Sequence, residues 1–515
     1  MGGATSVFAE RSGLWAFLLG CAAVTAGVVL HLPMFIEAAS MHFHMAGMPM
    51  DPGMVFGMVL IVGGVALAAW GLVPTNLAAQ RERASAVEIV APEDAALGAA
   101  HWGLMAVLVI ALVIDTMKPA SLGFTITGMT REYRAPGSVI SLVPFAALAG
   151  TVTGSILWGW IADIYGRKAS ILLSAVMFVG TSICGAMPSL AWNVGMCFLM
   201  GAAAGGMLPV TYALLAEMMP SRHRGWSLVL VGGLGAVGGY FVASGSSALL
   251  QPLFGWRILW LLNLPTGLLL IALGAFIPES ARFLIARGRT AEAEAVMRRF
   301  GSRARSVAAP PATPAESHRL TGGALFGKLA ALSLTALAWG FINFGILLWL
   351  PDDLVSRGYS TAVSSGLLAQ SALIAFPTVF LAALIYSRWS TKWSLAAMIA
   401  ITLAGLAGVV WLESVPGLSP VLPVALLIVG SNGIIAIILP YAAESFPFRV
   451  RGRATGWVAA CSKAGGLLAQ LLGILSLKPA LGPAALALML PTLAALALVA
   501  IFGRETRGRD LRALD

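Results

Sequence analysis

The chain has 515 residues, of which 59% are hydrophobic and only 10% are charged, and its mean hydropathy is +0.89. Soluble domains carry about 25% charged residues, so this composition excludes a soluble protein and predicts one that lies in lipid. The formal net charge of +10 does not indicate a nucleic-acid partner, because the basic residues are spread over short loops between apolar segments. The four cysteines lie in apolar segments without metal-ligand spacing, which predicts free thiols.

The chain begins with two apolar stretches, near 12–35 and 53–74, that are each long enough to cross a bilayer. The segment around their junction is rich in methionine, since residues 31–58 hold seven of the 21 methionines. Thioether and imidazole ligands suit copper, especially Cu(I), so one interpretation is a copper site. The alternative is that the methionines fill gaps at helix ends. The candidate ligands are Met41, His42, His44, Met45, Met48 and Met50.

Twelve further apolar stretches of about 20 residues follow, and with the first two they predict an all-α membrane protein of fourteen transmembrane helices. If the N-terminus lies in the cytoplasm, the cytoplasmic segments collect 25 of the 32 Lys and Arg residues and the outer loops five. This asymmetry predicts that both termini are cytoplasmic. The twelve stretches lie near 102–126, 138–160, 169–189, 193–215, 227–250, 257–277, 326–350, 363–386, 394–413, 421–442, 455–477 and 483–503.

Hydrophilic linkers divide the predicted helices into groups. The second linker is expected to contain an amphipathic helix at 290–300 and then a flexible stretch rich in Pro, Ala and Ser at 306–317. We expect, in chain order, two extra helices with an outer loop, a cytoplasmic linker, a six-helix bundle, a second cytoplasmic linker, and a second six-helix bundle with a short tail: 1–80, 81–100, 101–277, 278–325 and 326–515.

Two loops repeat along the chain at nearly one offset. The segments 217-EMMPSRHRG-225 and 444-ESFPFRVRG-452 both follow Glu-x-x-Pro-x-x-x-Arg-Gly, and 278-PESAR-282 is matched by 504-RETRG-508. The repetition indicates two parallel six-helix repeats, which is how major facilitator transporters are built.

Local motifs carry the same resemblance. The loop 159-GWIADIYGRK-168 resembles the signature of the major facilitator superfamily between its second and third helices. The run 278-PESARFLIARGRTAEA-293 resembles the signature that follows the sixth helix in sugar porters and organic-acid:proton symporters. Ala281 departs from the proline usual in that signature, and Cys197 stands where this branch often carries an arginine. The resemblance covers roughly residues 101–510 and implies a secondary transporter rather than an enzyme.

The resemblance also implies a role for the charged loop residues. They should gather at the cytoplasmic ends of the helices, where ion pairs would hold an inner gate shut until the two halves rock. The alternative is that they only set the topology on a solvated surface, where each pair would contribute about 0–1 kcal/mol. The candidates are Asp163, Arg167, Glu217, Arg224, Glu279, Arg282, Glu444 and Arg451.

Ionisable residues inside membrane spans are costly and are candidates for function. Asp115 and Lys118 lie three residues apart and so share a helix face. The resemblance to organic-acid:proton symporters implies that Asp115 is a proton site, and the alternative is a structural ion pair. Lys463 is expected to face a wet cavity or to extend toward the cytoplasmic edge. Further candidates to line the cavity are Tyr240, Trp339, Asn343, Gln370, Asn432, Tyr441 and Gln470.

The leading functional prediction is a proton-coupled carrier of a small organic solute, of anionic, carboxylate type. A copper or other metal-ion transporter and a non-transporting sensor or assembly factor are the alternatives. The sequence contains no Gly-x-x-x-x-Gly-Lys-Ser/Thr, HExxH or GxSxG motif, so neither ATP nor a hydrolytic reaction is expected. We expect a monomer in the cell membrane that binds its solute, protons and lipid, with no nucleic acid and no cofactor besides copper at the outer loop.

Overall fold

The computed structural model describes residues 11–72, 87–90, 96–306, 322–415, 417–446 and 448–507. Within these ranges the side chains described exclude those of 87–90, 163–164, 221, 286, 304–306, 322–324 and 448–452. The described chain is almost entirely helical, as predicted. The flexible stretch predicted at 306–317 lies, apart from its first residue, outside the described residues.

The first half of the chain holds twelve helices in the described residues, and short 3₁₀ turns at Ala38–Met41 and Thr181–Ala186 extend two of them. The helices are α1 (Arg11–Val29), α2 (Leu32–Glu37), α3 (Pro52–Leu72), α4 (Ala99–Tyr133), α5 (Gly137–Ile140), α6 (Leu142–Tyr165), α7 (Arg167–Gly180), α8 (Leu190–Ala204), α9 (Met207–Met218), α10 (Ser221–Phe254), α11 (Ile258–Leu261) and α12 (Asn263–Leu273).

The linker and the second half follow. A π-helical turn, Ile342–Ile346, joins two of the later helices into one stretch. The helices are α13 (Ala281–Ala286), α14 (Thr290–Phe300), α15 (Gly322–Phe341), α16 (Leu347–Ser356), α17 (Thr361–Arg388), α18 (Thr391–Ser414), α19 (Val421–Ser445), α20 (Phe448–Ile474) and α21 (Leu481–Phe502). The amphipathic helix predicted at 290–300 is confirmed by α14.

Thirteen helical stretches among the described residues are long and apolar enough to cross a membrane, against fourteen predicted. The stretch that falls short is Ile258–Leu273, predicted near 257–277. At 1.5 Å per residue it reaches about 24 Å, less than the roughly 30 Å of a bilayer core. The helix ends at Gly274, and Pro278 follows four residues later. The predicted fold class is confirmed, and the count of fourteen holds only if this shorter apolar helix is included.

The chain divides into two compact units, and the helices before the second linker contribute to both. One unit comprises Met1–Asp115, Ala149–Ser227 and Arg257–Ala312; the other comprises Thr116–Leu148, Leu228–Trp256 and Thr313–Asp515.

In the first unit, α1 and α3 form a closely packed hairpin. A Cβ added at Gly20 would lie 2.6 Å from the Gly64 carbonyl oxygen, and one at Gly27 would lie 2.5 Å from that of Gly57. The glycines recur every seven residues on each helix, so the two backbones approach each other closely at each of these positions. Close backbone approach at small residues is the packing mode of helices in lipid.

The same hairpin packs against the transporter helices. Val24 and Ile61 lie against Gly180 of α7, and the loop between α2 and α3 donates a hydrogen bond from the Gly47 amide to the Pro188 carbonyl at 3.1 Å. Arg257, predicted to be an outer-loop charge, is fully buried nearby and donates to the Met187 carbonyl at 2.7 Å. The two extra helices are therefore an integral part of this unit.

Two short strands, β1 (Val87–Val90) and β2 (Arg303–Ser306), pair antiparallel in the first unit. No pattern of residues predicted these strands, because each is only four residues long and lies in a linker. Their pairing joins the linker that precedes α4 to the one that follows α14.

The second unit has its core among helices α15 to α21. The closest neighbours are α18 with α19, α15 with α20, and α18 with α21. Gly340 on α15 and Gly465 on α20 have no side chain at their contact, so these two helix backbones touch. This contact brings the π-helical turn beside the middle of α20.

Candidate gating clusters and solute site

Glu279 lies against the first residues of α7 in the first unit. Its Oε1 accepts hydrogen bonds from the backbone amides of Arg167 at 2.9 Å, Lys168 at 3.4 Å and Ser280 at 2.9 Å. The free amides at a helix N-terminus favour a carboxylate in this position. Gly166, just before α7, has φ +96°, and a Cβ there would lie 2.6 Å from Glu279 Oε2. Only glycine permits the carboxylate to come so close.

A second carboxylate joins this group. Ser280 Oγ donates to Glu217 Oε2 at 2.5 Å, and the Arg167 guanidinium lies 3.5 Å from Glu217 Oε1. We call Arg167, Lys168, Glu217, Glu279 and Ser280 the Glu279 cluster. Glu279 is fully buried, and this burial raises its pKa even though the surrounding amides and Lys168 act to lower it.

The second unit repeats the arrangement with different donors. Glu505 Oε1 accepts hydrogen bonds from the Thr391 amide at 3.1 Å and the Thr391 hydroxyl at 2.7 Å, at the start of α18. Ser390 Oγ also donates to this carboxylate. Thr506 Oγ1 donates to Glu444 Oε2 at 2.8 Å. We call Ser390, Thr391, Glu444, Glu505 and Thr506 the Glu505 cluster.

Hydrogen bonds determine the direction in which the pKa of Glu505 is shifted. Burial acts to raise its pKa, but the hydrogen bonds from Ser390, Arg507 and Thr391 outweigh burial and lower the pKa to about 2. Tyr386 OH donates to Glu444 Oε2 at 2.8 Å, so the second carboxylate of the cluster is also met by a hydroxyl.

The structure brings together three of the predicted gate residues, Arg167, Glu217 and Glu279, and places Glu444 in the second cluster. Arg224 is half-buried and Arg282 is exposed. The side chains of Asp163 and Arg451 lie outside the described residues. The sequence analysis missed the roles of Ser280, Glu505 and Thr506, although the matched 278-PESAR-282 and 504-RETRG-508 segments were the signal for them.

A different group surrounds the π-helical turn between α15 and α16. Gln470, buried on α20, donates from Nε2 to the Phe344 carbonyl, which belongs to the turn. Trp339 Nε1 donates to the Ser431 carbonyl at 2.7 Å, and Ser431 Oγ lies 3.5 Å from Asn343 Oδ1. Single π-helical turns inside α-helices occur frequently at functional sites.

Aromatic rings and a cation meet at this turn. Lys463 Nζ lies 5.4 Å from the centroid of the Phe344 ring. The ring of Trp339 meets that of Phe344 edge to face, with centroids 5.8 Å apart. We call Trp339, Asn343, Phe344, Lys463 and Gln470 the π-turn site. In this site the Lys463 ammonium can pair with an anion, and the rings of Trp339 and Phe344 can pack against a planar ring. The Asn343 amide can form hydrogen bonds with a polar group.

The other predicted solute and proton residues lie in different surroundings. Asp115 and Lys118 on α4 are buried, with 8% and 2% of their surface exposed. Gln370 is exposed, and Asn432 lines a small apolar cavity with Gly433 and Val379. Tyr441 OH donates to the Arg504 carbonyl at 2.7 Å, next to Glu505 rather than at the π-turn site. Tyr240 lies with its ring 5.9 Å from that of Phe124.

The predicted copper ligands do not share one environment. Met41, His42 and His44 are exposed, whereas Met45 is fully buried. Met48 and Met50 are half-buried. Within the described part of the chain, no three His, Cys, Asp or Glu side chains are grouped to hold a metal. All four cysteines are free thiols, as predicted.

Helices of membrane length, with one carboxylate arrangement repeated in the two halves, define a polytopic helical membrane protein of the two-repeat carrier class. The profile of the Major Facilitator Superfamily matches residues 104–470. The chain therefore belongs to the Major Facilitator Superfamily, and it is a membrane transporter and not an enzyme.

Similar proteins include transporters of small organic molecules. The chain is 26% identical over 440 residues to the niacin transporter NiaP of Acinetobacter baylyi, covering 82% of this chain and 98% of that protein. It is 28% identical over 307 residues to the 4-hydroxybenzoate transporter PcaK of the same organism, covering 55% and 65%. The inward-open structure of the xylose transporter XylE from E. coli has the same fold, with a TM-score of 0.62 at 18% identity, over 80% of this chain and 99% of that one.

Proposed function

We propose that this transporter carries small planar aromatic carboxylates, coupled to protons, by alternating access. The observation that carries the proposal is the Lys463 ammonium over the Phe344 ring, inside a membrane-spanning helix and beside the π-helical turn. A charged side chain at such a depth is costly and faces the bundle interior or a polar cavity when it is retained. A bound carboxylate offsets that cost.

The surrounding groups favour a flat, aromatic solute. Trp339 and Phe344 meet edge to face, which leaves ring faces and edges to pack against a further ring at about 0.5–1.5 kcal/mol per pair. The Asn343 amide can orient a second polar group of the solute. Niacin and 4-hydroxybenzoate, for which two relatives are named, are each a planar ring bearing one carboxylate.

Proton coupling is assigned to Asp115 on α4. It is the acid predicted deepest within a span, and it is 8% exposed. Lys118 follows three residues later on the same helix. In this proposal, protonation of Asp115 and binding of the anionic solute favour the same state of the carrier, so each favours the other, as symport requires of a two-state carrier.

The two clusters serve as inner clamps in this proposal. The Glu279 and Glu505 clusters each tie the start of one helix to the segment that follows a later helix of the same repeat. Both clusters lie on the cytoplasmic side and both termini face the cytoplasm of the cell membrane. Membrane-impermeant thiol labelling of Arg282→Cys and His42→Cys in intact cells checks this orientation: only the His42→Cys chain should react from outside.

Equilibrium binding to the purified protein tests the solute class. Nicotinate and benzoate should bind at least about tenfold more tightly than the neutral amides nicotinamide and benzamide, a difference of about 1.4 kcal/mol. Lys463→Gln should remove this preference. Lys392→Gln is the matched control, because Lys392 also lies over an aromatic ring, that of Trp393 at 5.0 Å, but outside the π-turn site.

Two results would contradict the proposal. Equal binding of acids and amides by the unmodified protein would remove the charge argument. An unchanged preference in Lys463→Gln would place the anion site elsewhere. If none of the four compounds binds, the solute belongs to another chemical class and the proposal is wrong as well.

A further inference from the structure

We propose that the N-terminal hairpin holds a soft monovalent metal ion, Cu(I), on the His31 imidazole and the thioethers of the buried methionines Met34, Met45 and Met54. The hairpin precedes the part of the chain that the superfamily profile matches, residues 104–470. The inference does not depend on the solute class proposed above.

His31 has the chemical state of a metal ligand. It is fully buried, and its Nδ1 lies 2.8 Å from the Gly27 carbonyl oxygen. A carbonyl can only accept a hydrogen bond, so Nδ1 carries the proton and Nε2 carries the lone pair. Metal-binding histidines almost always donate their other ring N–H to a carbonyl, a carboxylate or water in this way.

The lone pair of His31 Nε2 has no hydrogen-bond partner among the residues that the structure describes. Leaving a buried polar atom unsatisfied costs about 1–3 kcal/mol, and such atoms commonly mark a bound water or ion. Gly57 lets the ring pack directly against the α3 backbone, since a Cβ at that position would lie 2.8 Å from His31 Cε1. The ring is therefore held rigidly with its acceptor uncommitted.

Three buried methionines lie in the segments that follow His31 at this end of the hairpin. Met34 lies in α2, Met45 in the outer loop and Met54 in the first turn of α3, and none is more than 3% exposed. All three belong to one buried apolar cluster of this unit.

Local geometry brings these segments toward His31. Met54 lies one turn before Gly57 on α3 and so shares the face that touches the His31 ring. Met34 follows His31 by three residues, and His31 is the N-cap of α2. The rings of Phe35 and Phe43 stack with centroids 4.8 Å apart, which folds the loop that carries Met45 back over α2.

The ligand chemistry selects the ion. Thioethers and neutral imidazole are soft ligands that favour Cu(I), and they bring no negative charge. A divalent ion would keep its whole charge in an apolar interior, at a greater cost than a monovalent one. This site differs from the one predicted from sequence, because the exposed Met41, His42 and His44 are not among its ligands.

Binding would join the hairpin more firmly to the transporter helices. The loop that carries Met45 donates its Gly47 amide to the Pro188 carbonyl of the bundle. A metal that fixes Met45 to His31 and Met54 therefore stabilises the contact between the loop and the bundle. Metal binding to the folded state alone raises the unfolding temperature.

Competition between the purified full-length protein and a chromophoric Cu(I) chelator, without oxygen, tests the proposal. The unmodified protein should bind one Cu(I), and Ag(I) should raise its unfolding temperature. His31→Gln and Met54→Leu should each weaken Cu(I) binding by at least about tenfold. Met54→Leu conserves side-chain volume, so it carries the test if His31→Gln does not fold. His42→Ala with His44→Ala is the matched control and should bind normally.

X-ray absorption of the Cu(I) complex should show mixed nitrogen and sulfur neighbours. The proposal is overturned if the unmodified protein binds no Cu(I), or if the His42→Ala and His44→Ala chain loses the site. It is equally overturned if every His31 and Met54 variant that folds retains the full affinity, because a buried water would then be the partner of His31.

Discussion

Glu279 and Glu505 occupy equivalent places in the two repeats, each against the first residues of a membrane-spanning helix and each followed by a hydroxyl residue that bonds a second carboxylate. The pKa values of the two carboxylates are nevertheless shifted in opposite directions. Glu279 is fully buried and its pKa is raised, whereas the pKa of Glu505 is lowered to about 2. A similar arrangement of backbone thus surrounds two carboxylates whose pKa values are shifted in opposite directions.

The difference lies in burial and in the donors. Glu279 is fully buried and accepts hydrogen bonds from backbone amides. Glu505 is only half-buried and receives two side-chain hydroxyls as well as amides. Burial disfavours the ionised form, while hydrogen-bond donors favour it. In the proposed gating cycle, the Glu279 cluster is therefore the one more easily broken, and the Glu505 cluster is the more permanent clamp.

The largest expected loss of stability is from a substitution at Gly166. Gly166→Ala places a Cβ 2.6 Å from the Glu279 carboxylate and forces alanine to adopt φ +96°. We expect a loss of about 3 kcal/mol of stability or failure to accumulate folded protein. The unfolding temperature in detergent measures it. Gly159→Ala, seven residues earlier on open helix surface, is the control and should be neutral; an equal loss there would contradict the steric argument.

The next effect separates the two carboxylates by pH. A lowered pKa means that Glu505 stabilises the fold above its ordinary pKa of 4.5, and this contribution is lost as the pH falls toward about 2. Glu505→Gln should therefore cost about 1 kcal/mol at pH 7, because solvent screens a half-exposed group, and less at pH 3.

Glu279 should behave in the opposite way. Its raised pKa means that the folded state holds the proton more tightly, so its contribution falls as the pH rises from 4.5 through the raised value. Glu279→Gln resembles the protonated form. It should therefore change the free energy of unfolding at pH 7 by no more than about 0.5 kcal/mol. If Glu279→Gln and Glu505→Gln lose equal stability at pH 7, the two carboxylates do not differ in their contribution to stability.

The smallest expected effect on stability is at Arg167. Its ion pair with Glu217, at 3.5 Å and partly exposed, should contribute less than about 1 kcal/mol. Arg167→Gln should therefore leave the unfolding temperature nearly unchanged but increase thiol labelling on the proposed cytoplasmic side, since the clamp opens. Arg298→Gln removes an exposed pair with Glu294 at 3.8 Å and should change neither. Equal labelling in both variants would leave Arg167 a topology signal only.

Repetition in the sequence made the fold and the first cluster predictable. The matched loops nominate Glu217, Glu279 and Glu444, because motifs repeated at one offset must serve one structural purpose. The hydroxyl partners Ser280 and Thr506 were not predictable, since their roles depend on which atoms meet after the later helices of each repeat end.

Other features depend on packing that periodicity does not report. A π-helical turn adds one residue to a helix, and in a span that is apolar on nearly every side the resulting shift in phase is not visible in the sequence. The position of Phe344 beneath Lys463 was therefore not foreseeable. Tyr441 was predicted to line a solute cavity, yet it bonds the Arg504 carbonyl. Between α2 and α3, the sequence pattern does not distinguish the buried Met45 from the exposed Met41.

Movement of labelled 4-hydroxybenzoate or nicotinate into proteoliposomes with an acidic exterior tests the central claim most directly. We expect accumulation above protein-free liposomes, which report passive entry of the neutral acids, and its loss with a protonophore. Asp115→Asn should abolish accumulation but retain exchange of labelled for unlabelled solute, because exchange moves no net proton. Accumulation that ignores the pH gradient, or that survives in Asp115→Asn, would contradict proton coupling through Asp115; no protein-dependent movement of either acid would contradict the proposed function itself.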